Sequence, residues 1–264
     1  MKNKVAVVTG ASSGIGRYAA ASLRDMGCTV YDLSRRSISQ DNIIHIATDV
    51  TDEAAVLSAV KRIVDENGHI DIVVNSAGFG ISGAVEFTSS ENAKAQFDVN
   101  FFGMVNMNRA AIPFMRKNGS GRIVNISSIA AVAHIPFQTF YSASKAAVES
   151  YTCALCNEVR PFGITVTAVQ PGDICTEFTK ARKKTFDGDD IYNGRISRSV
   201  AGMEKDEQNG MTPETAGKYI AKIATKKNVK PVYAIGFGYK FLSVLCKIFP
   251  CGIRNAIVGM LYSR

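Results

Sequence analysis

Short runs rich in Val and Ile alternate with longer, helix-sized segments along most of the chain. Such apolar runs, bounded by turn residues, are typical of strands buried on both faces of a parallel sheet. Strands are predicted at residues 5–9, 29–33, 43–47, 70–75, 122–127 and 164–169, with a last strand at 231–235. Helices are predicted near residues 16–26, 52–67, 91–117 and 139–160.

This alternation predicts right-handed βαβ crossovers, which place helices on both faces of the sheet. We therefore expect an α/β fold with a doubly wound parallel sheet of about seven strands, flanked by helices. The 264 residues contain neither repeats nor a low-complexity linker, so a single domain over residues 1–264 is expected.

Composition excludes several classes of protein. Hydrophobic residues make up 46% of the chain and charged residues 20%, which is ordinary for a soluble globular protein. We see no N-terminal signal segment and no apolar run of about 18 residues that could span a bilayer. The six cysteines are scattered, which suits reduced thiols in the cytoplasm. Cys153 and Cys156 have no second ligand pair nearby, so we expect packing side chains and no metal site.

Two C-terminal stretches depart from the alternation. Residues 173–210 are polar and irregular, include the basic run 182–184, and are predicted to form a substrate lid. Residues 237–264 form an apolar and basic extension, and residues 215–264 contain nine Lys or Arg and no Asp or Glu. Because base-stacking aromatic residues are not clustered with these charges, no nucleic-acid partner is expected. The extension could roof the substrate cleft, support a dimer or rest on a membrane surface, and the roof is favoured.

The first strand leads into a glycine-rich turn and then a helix. Three glycines at spacings of four and two allow a tight turn and a close backbone approach. The free amides at the start of the helix attract a pyrophosphate. The sequence therefore predicts a Rossmann-type dinucleotide site, with contacts from Gly10, Ser12, Ser13, Gly14, Ile15 and Gly16.

The end of the second strand indicates which dinucleotide binds. Ser34 takes the place where a carboxylate would bind a ribose 2′-hydroxyl, and Arg35 and Arg36 follow it. Arginine matches the geometry of a phosphate group. Asp32 lies two residues earlier, and we expect it to be too deep to reach the ribose. NADP(H) is therefore favoured over NAD(H).

Tyr141 and Lys145 are four residues apart, and Ser128 lies thirteen residues before the tyrosine. Four residues is about one helical turn, so the phenol and the ammonium share one helix face. A neighbouring cation favours a phenolate and is expected to bring the tyrosine pKa toward neutral pH. The triplet predicts acid–base chemistry, although the pair by itself is a weak motif.

Taken in order, these motifs resemble the short-chain dehydrogenase/reductase superfamily along essentially the whole chain. Residues 9–16 resemble its glycine motif, and Asp49 and Val50 resemble the pair that contacts adenine. Residues 75–78 resemble its N-N-A-G motif, with serine in the second place. The matched positions are Asn75, Ala77 and Gly78, the tetrad Asn100, Ser128, Tyr141 and Lys145, and the nicotinamide-side residues Pro171, Gly172, Ile174 and Thr176.

The resemblance implies a role for each member of the tetrad. Tyr141 would exchange a proton with the substrate oxygen, and Ser128 would orient the carbonyl. Lys145 would lower the tyrosine pKa and hold the nicotinamide ribose, and Asn100 would position a water that serves as a proton relay. Ser127 competes for the serine role, but the alternation of side chains along a strand points it the other way. A homodimer or homotetramer is also implied by the resemblance.

The segments that follow Ser128 and Gly78 are expected to border the substrate, and both are largely apolar. These features suit a bulky hydrophobic ketone or secondary alcohol. The extension resembles 17β-hydroxysteroid-dehydrogenase-like and retinol-dehydrogenase-like members, and basic residues would suit an anionic steroid such as a bile acid. The alternatives are a 3-oxoacyl-type or general carbonyl reductase and a non-catalytic NADP(H)-binding regulator. The candidate pocket residues are Phe79, Ile81, Ala130, His134, Ile135 and Phe140.

Overall fold

The computed structural model describes residue 1, residues 3–37 and residues 41–262. Seven parallel strands form the main sheet: β1 (Val5–Thr9), β2 (Thr29–Ser34), β3 (Ile43–Ala47), β4 (Ile72–Asn75), β6 (Gly121–Ile126), β7 (Ile164–Pro171) and β9 (Val232–Ile235). Two short strands, β5 (Ile81–Ser82) and β8 (Lys183–Lys184), pair with each other beside it. The strand order β3-β2-β1-β4-β6-β7-β9 confirms the predicted doubly wound α/β fold.

Ten α-helices join these strands within the described residues. They are α1 (Gly14–Asp25), α2 (Glu53–Asn67), α3 (Ser90–Phe97), α4 (Gly103–Lys117), α5 (Thr139–Val159), α6 (Phe178–Ala181), α7 (Arg195–Gln208), α8 (Pro213–Thr225), α9 (Phe237–Ile248) and α10 (Cys251–Tyr262). None of them is long and apolar enough to cross a membrane.

Two hydrophobic layers hold the helices to the sheet. On one face, residues of α2, α4 and α5 pack on alternate side chains of the strands, with Val7, Ile123 and Val166 at the centre. On the other face, α1 and α8 pack on the intervening side chains, which include Val8, Val74 and Val124. Since successive strand residues point to opposite faces, each strand has to be apolar at nearly every position. This requirement explains why the strands were predictable from continuous Val and Ile runs.

The chain reverses its direction across the sheet between β1 and β4. Strands β2 and β3 add on one side of β1, whereas β4, β6, β7 and β9 add on the other. In open α/β sheets, the carboxyl ends of the strands at such a reversal leave a crevice in which ligands bind. The fold therefore predicts a site beyond Thr9 and Asn75, the last residues of these two strands.

The predicted helix over 91–117 is wrong in one respect, because the segment is not continuously α-helical. Residues Asp98–Phe102 form a π-helical turn between α3 and α4. Such turns hold one extra residue and shift the side chains that follow around the helix axis. Spacing of apolar residues does not reveal this insertion, since the two flanking helices each keep their own period.

The predicted irregular lid contains more regular structure than expected, and the extension is helical. The lid region holds α7, whose buried residues Ile196, Val200 and Met203 pack with Phe137. The extension folds into α9 and α10, which pack on Ala133 through Cys246 and Val258. Helix α7 was missed because its mostly polar sequence exposes only a narrow apolar stripe of about one residue per turn.

Helices α1 and α8 pack closely where Gly217 meets the backbone of Tyr18. A Cβ built on Gly217 would lie 2.5 Å from the Tyr18 carbonyl carbon. We expect Gly217→Ala to lower the free energy of unfolding by about 1–3 kcal/mol, because backbone has to move to admit the methyl group. Urea denaturation measures this change.

The matched control is Gly202→Ala in α7, where a built Cβ meets nothing within 4 Å. There we expect a gain of about 0.5–1 kcal/mol, because alanine is the better helix former. Equal losses in both variants would contradict the packing argument.

Candidate active site

A cavity of about 860 Å³ opens at the carboxyl ends of the strands, at the reversal of strand order. It runs from the end of β2, across the glycine turn after β1, to the start of α5 and the lid. Most of the predicted nucleotide and acid–base residues line it. They are Gly10, Ser12, Ser13, Gly14, Ile15, Gly16, Ser34, Arg35, Arg36, Asp49, Val50, Ala77, Gly78, Ser128, Tyr141, Lys145, Pro171, Gly172, Ile174 and Thr176.

The glycine turn can exist only with glycine at two of its positions. Gly10 has φ of +69°, and a Cβ there would lie 2.8 Å from the Cα of Ala77. A Cβ on Gly16 would lie 2.6 Å from the carbonyl oxygen of Gly10. The turn thus brings bare backbone and the first amides of α1 to the cavity wall, as a pyrophosphate requires. These residues fit a dinucleotide.

Hydrogen bonds from neighbouring strands fix this turn. The Oγ1 of Thr9 accepts hydrogen bonds from the amides of Ser76 at 3.1 Å and Ala77 at 3.2 Å. The Oδ1 of Asp32 accepts one from the amide of Ala11 at 3.1 Å. The other carboxylate oxygen of Asp32 accepts a hydrogen bond from Ser34 Oγ at 2.8 Å and lies 3.0 Å from His45 Nδ1. Asp32 is buried and supports the turn, while Ser34, Arg35 and Arg36 reach the cavity.

Arg35 and Arg36 lie where the sequence predicts a 2′-phosphate site. The guanidinium of Arg35 is 76% exposed, and its Nη1 lies 4.0 Å from Asp49 Oδ2 across the cavity mouth. An exposed pair at this distance contributes little to stability. The arginine is therefore available to an anion at the end of β2.

Helix α5 presents Tyr141 and Lys145 to the cavity from its first two turns. The Nζ of Lys145 lies 5.7 Å from the centre of the Tyr141 ring and donates to the carbonyl oxygen of Ile126 at 2.9 Å. Ser128 forms a side-chain hydrogen bond with Tyr141, and its Oγ also accepts from the amide of Ala130 at 3.1 Å. Ser127 donates instead to the carbonyl oxygen of Lys145 at 3.0 Å. The structure thus places Ser128, not Ser127, beside the phenol.

Desolvation is the largest cause of the pKa shifts of both Tyr141 and Lys145. It raises the pKa of Tyr141 to about 12, against the lowering effects of the Ser128 hydrogen bond and the Arg182 charge. It lowers the pKa of Lys145 to about 8. The Arg182 charge does lower the tyrosine pKa, and the expected lowering by Lys145 stays a prediction. At neutral pH the phenol is protonated and can donate.

Asn100 lies in the π-helical turn, behind the cavity wall. Its Oδ1 accepts from the amide of Phe79, and its Nδ2 donates to the Phe79 carbonyl oxygen, both at 3.0 Å. Its Nδ2 also lies 3.2 Å from Ser144 Oγ. A Cβ on Gly78 would lie 3.1 Å from Asn100 Oδ1 and 3.6 Å from Lys145 Nζ. Asn100 therefore fixes the loop beside Lys145, and its role in a water relay stays a prediction.

Asn75 was predicted to contact the nucleotide, but its side chain lies below the cavity. The Nδ2 of Asn75 donates to Asn108 Oδ1 and Asn125 Oδ1, each at 2.8 Å. Asn125 in turn donates to Thr152 Oγ1 at 2.9 Å. These buried hydrogen bonds join β4, β6, α4 and α5, so Asn75 holds together the elements beneath the cavity.

Three predicted substrate residues line the cavity, namely Phe79, Ala130 and Ile135. The other three lie outside its walls. Ile81 is buried in β5, and Phe140 precedes Tyr141 on α5 and so points about 100° away around the helix axis. His134 faces the extension, with Nε2 lying 3.3 Å from an Arg254 nitrogen, in a separate cavity of about 420 Å³.

Three polar pairs that involve lid residues were not identified from the sequence. Arg182 is fully buried and forms an ion pair with Glu207, and Tyr239 donates a hydrogen bond to Asp173. Lys184 forms an ion pair with Glu204, so of the basic run only Lys183 lines the cavity. This pairing weakens the expectation that the run attracts an anionic substrate. Partners separated by 25 and 66 residues leave no local pattern that sequence reasoning could use.

A nucleotide-binding turn, a cavity-lining tyrosine and a buried lysine in one cavity define a class, the nucleotide-dependent oxidoreductases. The short chain dehydrogenase family profile matches residues 4–187. The 3-ketodihydrosphingosine reductase of Bacteroides thetaiotaomicron is 44% identical over 232 residues, which cover 86% of each chain. The chain belongs to the short-chain dehydrogenase family and is an oxidoreductase.

Solved structures of relatives contain both kinds of nicotinamide nucleotide. The 3-ketoacyl-(acyl-carrier-protein) reductase of Brucella melitensis, complexed with NADH, has a TM-score of 0.77 and 25% identity. ElxO with NADP bound has a TM-score of 0.76 and 29% identity. Each of these alignments covers 90% of this chain and 99% of the other. The family therefore implies a nicotinamide nucleotide without deciding which one.

The lowered pKa of Lys145 predicts a dependence of stability on pH. A lysine with a lower pKa in the folded state binds fewer protons when folded, from about pH 8 up to its ordinary pKa. Stability therefore rises with pH in that window. We expect the unfolding free energy of the wild type to increase relative to Lys145→Met between about pH 7.5 and pH 10, in denaturant titrations. Lys61→Met on the exposed face of α2 is the control, and a pH-independent difference for Lys145→Met would contradict the assignment.

Proposed function

We propose that this protein is an NADPH-dependent reductase that converts the ketone of a long-chain, hydrophobic molecule into a secondary alcohol. The observation that carries the substrate class is the 44% identity to a 3-ketodihydrosphingosine reductase over 86% of each chain. The apolar wall of Phe79, Ala130 and Ile135 supports the same class, because alkyl groups bind best to apolar surfaces.

The preference for NADPH is supported by the charges at the end of β2. Ser34 provides a hydroxyl where a carboxylate would repel a 2′-phosphate, and Arg35 and Arg36 line the same end of the cavity. The turn at Gly10 to Gly16 would hold the pyrophosphate, and Lys145 would hold the nicotinamide ribose. When bound, the nucleotide would supply the hydride for the reduction.

The residues of the site supply the proton and orient the ketone. Tyr141, protonated at neutral pH, would donate its proton to the ketone oxygen as negative charge develops there. Ser128 would donate a second hydrogen bond to the same oxygen and hold it beside the phenol. The ammonium of Lys145 would stabilise the phenolate that remains, since a buried cation is only weakly screened. A phenol with a raised pKa stays protonated at neutral pH, which is the state that a proton donor needs.

A steroid or bile-acid ketone remains the second candidate substrate, and the apolar wall supports it equally. A 3-oxoacyl thioester is the third, favoured by the likeness to the Brucella reductase. A non-catalytic nucleotide-binding regulator would have no need of a hydrogen-bonded Ser128–Tyr141 pair beside Lys145.

Oxidation of NADPH with a panel of ketones tests the proposal. We expect 3-ketodihydrosphingosine, presented in mixed micelles, to give a kcat/KM at least about tenfold above a steroid ketone and a 3-oxoacyl thioester. Greater turnover of the steroid or thioester would overturn the substrate assignment while leaving the reductase assignment intact. Tyr141→Phe is expected to lower kcat by about 100-fold or more, with NADPH binding nearly unchanged in a fluorescence titration. Wild-type rates in this variant would refute the tyrosine's role.

The nucleotide preference has its own test. Arg35→Ala is expected to raise the KM for NADPH about tenfold or more, because it removes a charged partner of the 2′-phosphate, and to change the KM for NADH little. The control is Arg109→Ala, another exposed arginine paired with a carboxylate, Glu53, but away from the cavity. Equal effects of Arg35→Ala on both nucleotides would contradict the 2′-phosphate assignment.

A further inference from the structure

The two C-terminal helices each expose an apolar stripe with helical spacing. On α9 the exposed residues are Phe237, Phe241, Val244 and Ile248, at intervals of four, three and four. On α10 they are Ile253, Ile257, Met260 and Leu261. Phe237 is 93% exposed and Leu261 is 71% exposed, values that a protein surface seldom gives to large apolar side chains in a cluster. We call these eight residues the apolar stripe.

The opposite sides of both helices are anchored to the protein. Ser243 Oγ donates to Gln170 Oε1 of β7 at 2.9 Å, and Tyr239 donates to Asp173. Cys246 and Val258 pack on Ala133, and Arg254 Nη1 donates to the carbonyl oxygen of Cys246 at 2.9 Å. The stripe is thus held outward by a fixed set of contacts on the other face.

The stripe does not form the predicted roof of the substrate cleft. None of the described residues 237–262 lines the large cavity, although Tyr239 packs on Gly172 and donates to Asp173, which do line it. The expectation that the extension roofs the site is therefore wrong. The apolar side chains of the stripe need another explanation.

The charges that α9 and α10 themselves carry are all positive, while Asp206 of α7 accepts a hydrogen bond from Tyr262 at 3.4 Å beside the end of the stripe. Lys240 and Lys247 lie on α9 at the border of the stripe, three residues after Phe237 and Val244, and both are exposed. Residues 215–262 include no Asp or Glu, so α9 and α10 carry no negative charge of their own. Apolar residues bordered by lysines are typical of helices that lie in the interface of a membrane with anionic lipids.

We infer that α9 and α10 form a peripheral docking surface that binds the protein to bilayers of anionic phospholipid. The stripe would enter the boundary between headgroups and acyl chains, while the lysines would contact the lipid phosphates. A second copy of the chain fits less well, because a two-fold contact through this face would bring like charges together. The inference goes beyond the proposed function and does not depend on the identity of the substrate.

Vesicle co-sedimentation of the full chain tests the inference directly. With vesicles of phosphatidylcholine and phosphatidylglycerol at low salt, we expect most of the protein in the pellet. With pure phosphatidylcholine, or at about 0.5 M salt, the bound fraction should fall several-fold because screening weakens the lysine contacts. Equal binding to both vesicle types, or no binding to either, would overturn the inference.

Variants of the stripe separate membrane docking from other contacts. The double variant Phe237→Ser and Phe241→Ser is expected to lower the partition coefficient about tenfold or more, because two large apolar groups no longer enter the bilayer. Leu57→Ser, an exposed apolar residue on α2, is the control and should bind as the wild type does.

Sedimentation equilibrium completes the test. If the double variant converts a dimer into monomers and vesicle binding is unaffected, the stripe is an interface between copies and the inference fails. Should the double variant prove unstable, the comparison of lipids and salt with the wild type still decides the matter.

Discussion

The hydroxyl of Thr9 holds together the two loops between which a nucleotide has to bind. Its oxygen accepts hydrogen bonds from the amides of Ser76 and Ala77, which holds the loop after β4 against the end of β1. That contact leaves no room for a side chain at Gly10, which is why the turn needs glycine there. Asp32 fixes the other side of the turn from β2. The nucleotide site therefore depends on three adjacent strands ending in register, a condition that only the parallel sheet supplies.

Much of this arrangement was predictable from sequence because its causes are local or periodic. Strand β1 was predicted to the residue, since burial on both faces demands a continuous apolar run. The bounds of the edge strand β3 were also predicted correctly, although its side chains are only partly buried. The glycine spacing indicated the turn, and the interval between Tyr141 and Lys145 placed both groups on one helix face. The predicted strand at 70–75 begins two residues later in the structure, at Ile72.

The features that sequence reasoning missed arise from contacts between distant segments. The spacing of apolar residues does not reveal the π-helical turn that positions Asn100, because the helices on either side of the inserted residue each keep a normal period. Asn75 was assigned to the nucleotide by its motif, but Asn108 and Asn125 engage its amide from other elements. The raised pKa of Tyr141 arises from desolvation by elements distant in sequence, which no spacing of residues can reveal.

The side-chain amide of Gln170 in β7 connects two helices that are far apart in sequence. Gln170 of β7 accepts a hydrogen bond from Ser243 on α9 and donates one to Glu149 on α5, the helix that carries Tyr141. Helix α9 is thus held in a fixed position relative to α5 by hydrogen bonds to a strand of the core. Any surface that binds α9 will therefore fix the orientation of the cavity opening relative to that surface.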